Sequence, residues 1–208
     1  LSRGKDGDSL TPPKVLMVDD QVMVHRMQKK GFTSHAQGVD VVSNEQDESG
    51  LFLSAQAVLG YFEQFEFQPP VDLLIVDQQM PPGMLGSEML CQIRDEVARR
   101  GLPMLLSISL TGNLDLDFFN DPLEMPGLVC FSKPMASEAV KMIGFLLMEF
   151  QKESFPSRNK EFARRLLFKP EGRDLTVVEK NYYHAVDSGK VKGSFDEQRD
   201  NFDARMAL

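Results

Sequence analysis

Two kinds of segment alternate along the first 150 residues, and this alternation limits the chain to few folds. Five short apolar runs, rich in leucine and β-branched residues, lie at residues 14–18, 39–43, 71–76, 104–110 and 128–131. Segments with helical spacing of apolar residues lie near residues 22–37, 54–65, 86–100, 115–123 and 137–153. Short continuous apolar runs are typical of strands covered on both faces. The pattern therefore predicts an α/β fold, a doubly wound five-stranded parallel sheet with helices on both sides.

Charge is distributed unevenly along the 208 residues, which carry a formal net charge of −8. Residues 1–150 hold 11 Lys and Arg against 21 Asp and Glu, whereas residues 151–208 hold 12 against 10. The acidity of residues 1–150 argues against extended nucleic-acid binding by that part, and the mildly basic remainder carries little signal of its own, so we expect no nucleic-acid partner for this chain. No apolar run is long enough for a membrane span. Cys91 and Cys130 lie in apolar runs, which predicts reduced thiols and a cytoplasmic protein.

The C-terminal part of the sequence predicts a helical extension of about three short helices. Apolar residues recur at helical spacing in residues 159–168. Two later segments fit the capping-box pattern that opens a helix, namely Thr176 with Glu179 and Ser194 with Glu197. With few apolar residues per helix, the extension cannot fold alone. We expect it to dock on the first domain, on a second copy, or on sequence outside this chain.

These observations divide the chain into three parts. We predict a flexible N-terminal segment at residues 1–13, a folded domain at 14–153 and the helical extension at 154–208. The polar residues 44–50 are expected to form an exposed loop. The fifth predicted helix, near 137–153, is apolar on more than one face, so it needs a second packing partner, either the extension or another subunit.

Chemically active side chains stand at the ends of the predicted strands. Asp19 and Asp20 follow the first strand, and Asp77 ends the third. Thr111 ends the fourth strand and Lys133 follows the fifth. The carboxyl ends of parallel strands open on one edge of the sheet. We therefore expect three carboxylates, a hydroxyl and an ammonium group to converge there.

Three carboxylates at one site repel each other unless a cation lies between them. Mg²⁺ prefers oxygen ligands of this kind and keeps positions open for water and phosphate. One carboxylate can then attack a phosphoryl group, since the metal offsets the charge of both reactants. Lysine and a hydroxyl group can bind the remaining phosphate oxygens. The residue set thus contains the parts that an aspartyl phosphate requires.

Four motifs in the sequence resemble those of response-regulator receiver domains. They are VLMVDDQ at 15–21, LLIVDQQMPPGMLGSEML at 73–90, SLTGN at 109–113 and FSKP at 131–134. All four stand in the family's order, each at a predicted strand end, and the resemblance covers about residues 13–150. It implies the five-stranded flavodoxin-like fold of the chemotaxis-regulator type.

By motif match, the resemblance implies that Asp77 is the phosphoacceptor. It also implies that Mg²⁺ is held by Asp19, Asp20, Asp77 and the backbone carbonyl of Gln79. One departure lies in the loop after Asp77, because residues 80–83 (MPPG) are one residue longer than the usual Met-Pro-Gly run.

Further roles implied by the resemblance concern the fourth and fifth strands. Thr111 would be the switch hydroxyl and Lys133 the phosphate-binding lysine, with Pro134 matching a proline that commonly follows a cis bond. A second departure lies three residues before the lysine, where the family has an aromatic residue and this chain has Cys130. Phe131 stands next to it but would point the opposite way along the strand. The conformational coupling between the switch threonine, Thr111, and an aromatic side chain at position 130 would then be absent or would involve other residues.

The function implied is signal reception in a two-component phosphorelay. A histidine kinase or phosphotransfer protein would pass its phosphoryl group to Asp77, changing the surface around the fourth helix, fifth strand and fifth helix for an output partner. The chain would catalyse its own phosphorylation and dephosphorylation, and no separate catalytic domain is evident. A homodimer through the apolar fifth helix is a further expectation.

Three alternatives stay open from the residues alone. Single aspartates can end strands as turn formers or helix caps. The domain can be a non-phosphorylated pseudo-receiver that serves as a protein-interaction scaffold, or the regulatory module of a longer enzyme. A haloacid-dehalogenase-type phosphatase fits poorly, because Asp19-Asp20-Gln21 lacks that class's Asp-x-Asp pattern.

Overall fold

The computed structural model describes residues 11–80, 83–103, 105–112, 129–152, 158–193, 195–200 and 202. The predicted helix at 115–123 lies outside the described residues, as do residues 1–10 and the two prolines at 81 and 82 in the longer loop after Asp77. Within the described part, no helix is both long and apolar enough to cross a membrane.

One five-stranded parallel sheet forms the centre of the molecule. Its strands are β1 (Lys14–Val18), β2 (Asp40–Val41), β3 (Leu73–Asp77), β4 (Leu106–Thr111) and β5 (Val129–Ser132). Their spatial order is β2-β1-β3-β4-β5, and every neighbouring pair is parallel. This confirms the predicted doubly wound, flavodoxin-like architecture.

Seven helices are seen among the described residues. They are α1 (Val22–His35), α2 (Ala55–Gln64), α3 (Gly86–Arg99), α4 (Ser137–Lys152), α5 (Arg158–Leu167), α6 (Val177–Asp187) and α7 (Phe195–Asp200). Helix α4 is the fifth helix of the sequence prediction. Helices α5 to α7 form the predicted helical extension.

Alternate residues of the strands enter two separate cores. In β1, Val15 and Met17 face the core formed with α1 and α4, whereas Leu16 and Val18 face the core formed with α2 and α3. The inner strands are thus buried on both faces, as their continuous apolar sequences predicted.

The helical extension docks on the first domain. Its Phe162, Leu166 and Tyr182 are buried in the same core as Ile143 and Leu147 of α4. Of the partners considered for the extension and for the apolar helix α4, the structure therefore shows that each covers the other.

A buried ion cluster fixes the extension internally. Glu179 of α6 is fully buried and accepts hydrogen bonds from Nη2 of Arg165 at 2.8 Å, Nη1 of Arg173 at 3.0 Å and the backbone N–H of Thr176 at 2.9 Å. The Thr176 hydroxyl in turn accepts from the Glu179 N–H, which completes the predicted capping box. Burial alone would raise the pKa of Glu179, but the hydrogen bonds from Arg173, Thr176 and Arg165 outweigh burial and lower the pKa to about 2.

The stability that Glu179 contributes is expected to depend on pH. Because folding lowers its pKa from 4.5 to about 2, the contribution is complete above about 4.5 and is lost as the pH falls towards 2. The full shift corresponds to about 3 kcal/mol. In urea unfolding at a series of pH values, Glu179→Gln should lower the free energy of unfolding at neutral pH and flatten its acid dependence. The exposed Asp187 on the same helix offers a control, Asp187→Asn, and an unchanged acid slope in Glu179→Gln would contradict the assignment.

Candidate functional site

The site lies where the strand order reverses, between the carboxyl ends of β1 and β3. Asp19 and Asp20 directly follow β1, and Asp77 is the last residue of β3. One carboxylate oxygen from each of the three lies within 4.8 Å of the others. The structure therefore brings together the three acids that the sequence placed at strand ends.

Lys133 crosses the site from the end of β5. Its Nζ lies 2.6 Å from Oδ2 of Asp19 and 2.7 Å from Oδ2 of Asp77, and both carboxylates are buried. Its backbone N–H donates to the carbonyl of Thr111 at 2.7 Å, which holds the lysine to β4. The Lys133–Pro134 bond is cis. One ammonium group thus offsets two buried negative charges.

Asp19 is held from a second side by helix α1. Its Oδ1 accepts from the Gln21 N–H at 2.9 Å, and its Oδ2 accepts from Nε2 of Gln28 at 3.4 Å. Gln28 is not among the residues predicted from the sequence. The sequence feature that could have identified Gln28 is its position on the helical face that also carries His25 and Phe32, which are both buried.

The acidity of Asp77 is set mainly by burial, which raises its pKa. Lys133 and the Gln79 N–H, which donates to Oδ1 at 3.2 Å, act in the opposite direction, while the charge of Asp19 adds to the rise. The net pKa lies above that of an ordinary aspartate. A carboxylate of this kind is poorly solvated, and it loses its charge at a higher pH than a surface aspartate does.

Asp20 supplies a further carboxylate oxygen to the site. Its Oδ1 is buried and has no hydrogen-bond partner among the residues that the structure describes. A buried carboxylate oxygen in this condition is costly unless it binds a cation. One carboxylate oxygen each from Asp19, Asp20 and Asp77 forms a donor set of the hard, anionic kind that Mg²⁺ prefers. The residues present therefore fit a magnesium ion.

The remaining predicted residues lie around this centre. Thr111 is the buried last residue of β4, paired in register with Ser132. Gln79 is exposed just beyond β3, and its carbonyl stays a predicted metal ligand. Cys130 and Phe131 are both buried in β5, and the Phe131 ring packs edge-on against Phe195 of α7, with ring centroids 5.6 Å apart.

The start of α3 is fitted closely against the end of β3. A Cβ atom at Gly86 would lie 2.2 Å from the carbonyl oxygen of Asp77 and 2.6 Å from Cγ1 of Val76. The buried side chain of Gln78 donates to the Ser87 hydroxyl at 2.8 Å. Glycine at position 86 therefore allows the helix to hold the strand end that carries Asp77.

Gly86→Ala is expected to destabilise the protein by about 1–3 kcal/mol, because the added methyl group meets backbone that cannot move aside cheaply. Thermal unfolding measures the effect. Gly60→Ala is the matched control, since Gly60 lies inside α2 and, among the described residues beyond its chain neighbours and its own helix backbone, no atom lies within 4 Å of a Cβ placed there. Alanine at this position should stabilise the protein by about 0.5–1 kcal/mol. Equal melting temperatures for wild type and Gly86→Ala would show that the helix can shift away from β3 at little cost.

Similarity to solved structures agrees with the fold. The receiver domain of a Saccharomyces cerevisiae response regulator, solved with a histidine phosphotransfer signalling protein, aligns with a TM-score of 0.54 and 17% identity, covering 73% of this chain and 99% of that one. The signal receiver domain of an HD domain-containing protein from Pseudomonas fluorescens Pf-5 aligns with a TM-score of 0.53 and 19% identity, covering 71% and 95%. No protein-family model matches the sequence, and no curated protein matches it significantly. The chain has the fold of a response-regulator receiver domain.

Proposed function

We propose that the chain is a phosphorelay receiver that accepts a phosphoryl group on Asp77. The observation that carries this proposal is the grouping of Asp19, Asp20 and Asp77 around Lys133 at the switch point of the sheet. A purely structural role explains this grouping poorly, because one lysine leaves an excess of buried negative charge. The receiver fold of the solved structures supports the same proposal.

In the proposed reaction, a carboxylate oxygen of Asp77 attacks the phosphorus of a phosphohistidine. The new O–P bond forms as the P–N bond breaks, and the electron pair of that bond stays on the imidazole nitrogen. Lys133 moves from the two carboxylates to a phosphoryl oxygen, and the Thr111 hydroxyl donates to another. The changed charge distribution around β4 and β5 would then alter their surface.

Asp19, Asp20 and Asp77, with the Gln79 carbonyl, would hold Mg²⁺. When bound, the ion supplies positive charge that offsets the charge of carboxylate and phosphoryl group together. Gln28 positions the Asp19 carboxylate through its 3.4 Å hydrogen bond.

A groove beside the site offers a surface for the phosphodonor. It has a volume of about 410 Å³ and runs between α1 and the loop after β5, with Met27, Phe32, Lys133 and Met135 in its wall. On α1, Met23 and Met27 are 68% and 58% exposed. Such exposed apolar side chains next to a reactive group are typical of an interaction surface. We propose that a histidine phosphotransfer protein or kinase docks here.

The test is Mg²⁺-dependent phosphorylation by acetyl phosphate, measured by intact-protein mass spectrometry. Wild type should gain one phosphoryl group. Hydroxylamine should remove that group, because hydroxylamine cleaves acyl phosphates. Asp77→Asn should gain none, because an amide nitrogen cannot serve as the nucleophile. Asp95→Asn, at an exposed site on α3, is the control and should behave as wild type. Phosphorylation that survives in Asp77→Asn would contradict the assignment of Asp77 as the acceptor, and the absence of any phosphorylation of wild type would favour the non-phosphorylated scaffold instead.

A further inference from the structure

The outer edge of β5 is covered by the helical extension. The backbone N–H of Cys130 donates to Oε1 of Gln198 at 2.7 Å, and the Cys130 carbonyl accepts from Nε2 of the same side chain at 3.0 Å. Two residues on, the Ser132 N–H donates to the carbonyl of Lys192 at 2.9 Å. We call residues 191–193 together with α7 the edge cap.

The contacts of the edge cap replace those of a sixth strand. Alternate residues of an edge strand present their backbone groups outward, and here the outward groups belong to Cys130 and Ser132. The N–H of Lys133 points the other way, to Thr111 of β4. A Cβ at Gly193 would lie 2.5 Å from the Cys130 carbonyl oxygen, so the edge cap lies directly against the strand.

The edge cap and the phosphorylation site share the end of β5. Ser132, which bonds Lys192, directly precedes Lys133, whose Nζ lies within 2.7 Å of both Asp19 and Asp77. A phosphoryl group on Asp77 would draw that ammonium group away from its two present partners. The hydrogen bond between Ser132 and Lys192 therefore lies one residue away from the side chain that phosphorylation would displace.

The described contacts of the edge cap with the strand come from a short segment of the chain. They include the Gln198 pair, the Lys192 carbonyl, which also accepts from the Ser132 hydroxyl at 3.4 Å, and the ring of Phe195, which is buried against Phe131. Helix α7 has only six residues. Its Arg199 also donates to the Leu167 carbonyl of α5 at 2.7 Å, so the helix can leave β5 and stay attached to the extension.

We propose that the edge cap is a releasable cover of β5 and that phosphorylation of Asp77 weakens its hold. The proposal rests on the proposed function. A released edge cap uncovers the backbone groups of Cys130 and Ser132, and an open strand edge is able to pair with an extended segment of another chain. Occupancy of the site and docking of the edge cap then oppose each other, and by linkage each weakens the other.

The first experiment follows backbone amide exchange by NMR in the full chain, with Mg²⁺ and with or without beryllofluoride as the phosphoryl mimic. The amides of Cys130 and Ser132 should exchange about tenfold faster when the mimic is bound. Fluorine NMR reports independently whether the adduct forms. An adduct that leaves both exchange rates unchanged overturns the edge-cap proposal and spares the proposed function. Failure to form any adduct overturns both.

The second experiment uses Gln198→Ala, which removes both hydrogen bonds to Cys130. Without the mimic, this variant should already show fast exchange at Cys130, and it should bind beryllofluoride several-fold more tightly than wild type does. Lys192→Ala is the matched control, because Lys192 contacts Ser132 through its backbone carbonyl and its side chain is exposed. Wild-type exchange at Cys130 in a folded Gln198→Ala protein would overturn the proposal. If Gln198→Ala fails to fold, the comparison of wild-type amide exchange with and without beryllofluoride tests the proposal instead.

Discussion

Lys133→Met is expected to bind Mg²⁺ at least about tenfold more tightly than wild type while losing most phosphoryl transfer. In the structure the ammonium group lies 2.6 Å and 2.7 Å from oxygens of the two acids that would ligate the metal. Mg²⁺ must therefore enter against a fixed positive charge. Methionine fills similar space without that charge, so the metal meets the carboxylates alone.

The size of the effect is set by electrostatics. A pair of unit charges ~4 Å apart interacts by about 4 kcal/mol at an effective dielectric constant near 20. A tenfold change in affinity needs only about 1.4 kcal/mol. Even strong screening thus leaves a measurable gain in metal affinity. Phosphoryl transfer falls nonetheless, because no cation remains to bind the phosphoryl oxygen.

Calorimetric titration with MgCl₂ and mass spectrometry after acetyl phosphate treatment measure the two effects. Loss of Lys133 removes a group that lowers the pKa of Asp77, so the titration belongs at mildly alkaline pH, where the acids stay ionised. Lys29→Met is the control, since Lys29 lies on α1 and its exposed ammonium group donates to the Ser43 hydroxyl at 3.0 Å. Weaker Mg²⁺ binding in Lys133→Met would show that lysine and metal do not compete for these oxygens.

Shortening the chain at residue 152 is expected to abolish soluble, cooperatively folded protein. Helices α5 to α7 would be lost, and with them the cover of α4. The apolar side chains of α4 that are now at most 4% exposed include those of Met142, Ile143, Leu146, Leu147 and Phe150. Each large side chain returned to water costs about 1.5–3 kcal/mol, so exposing three of them approaches the whole stability of a typical domain, about 5–15 kcal/mol.

The soluble fraction after expression and the cooperativity of thermal unfolding measure this effect. Shortening at residue 187 is the matched control, because it keeps α5 and α6 on α4 and removes only residues 188–208. That shorter chain should stay soluble and melt cooperatively at a reduced temperature. A soluble monomer ending at residue 152 with a sharp melting transition would show that the first domain is stable without its extension.

Much of the site could be predicted from the sequence because its signals are local. Asp19, Asp77 and Thr111 stand directly at the ends of apolar runs, and parallel strands bring such positions to one edge. The predicted bounds of α1 differ from the observed ones by two residues at its C-terminal end. Strand β2 is only two residues long, although residues 39–43 are apolar enough for five, since few of them pair with β1.

Contacts between distant parts of the chain could not be predicted in this way. Gln198 pairs with Cys130 across 68 residues, and its partners are backbone groups, which every residue offers alike. Gln28 donates to Asp19 from α1, whose buried residues His25, Gln28 and Phe32 include no Asp, Glu, Lys or Arg that would mark a contact with the site. The sequence showed that the apolar faces of the extension and of α4 must be buried. Because hydrophobic attraction is non-directional, the sequence did not show which surfaces would bury them.

The packing of the extension on α4 also bears on the expected homodimer. A second copy that approached α4 would compete with a segment tethered to the same chain. Short tethers give effective concentrations on the order of millimolar, about a thousandfold above a micromolar protein solution. Self-association through this face is therefore suppressed by mass action until the chain's own helices have moved away.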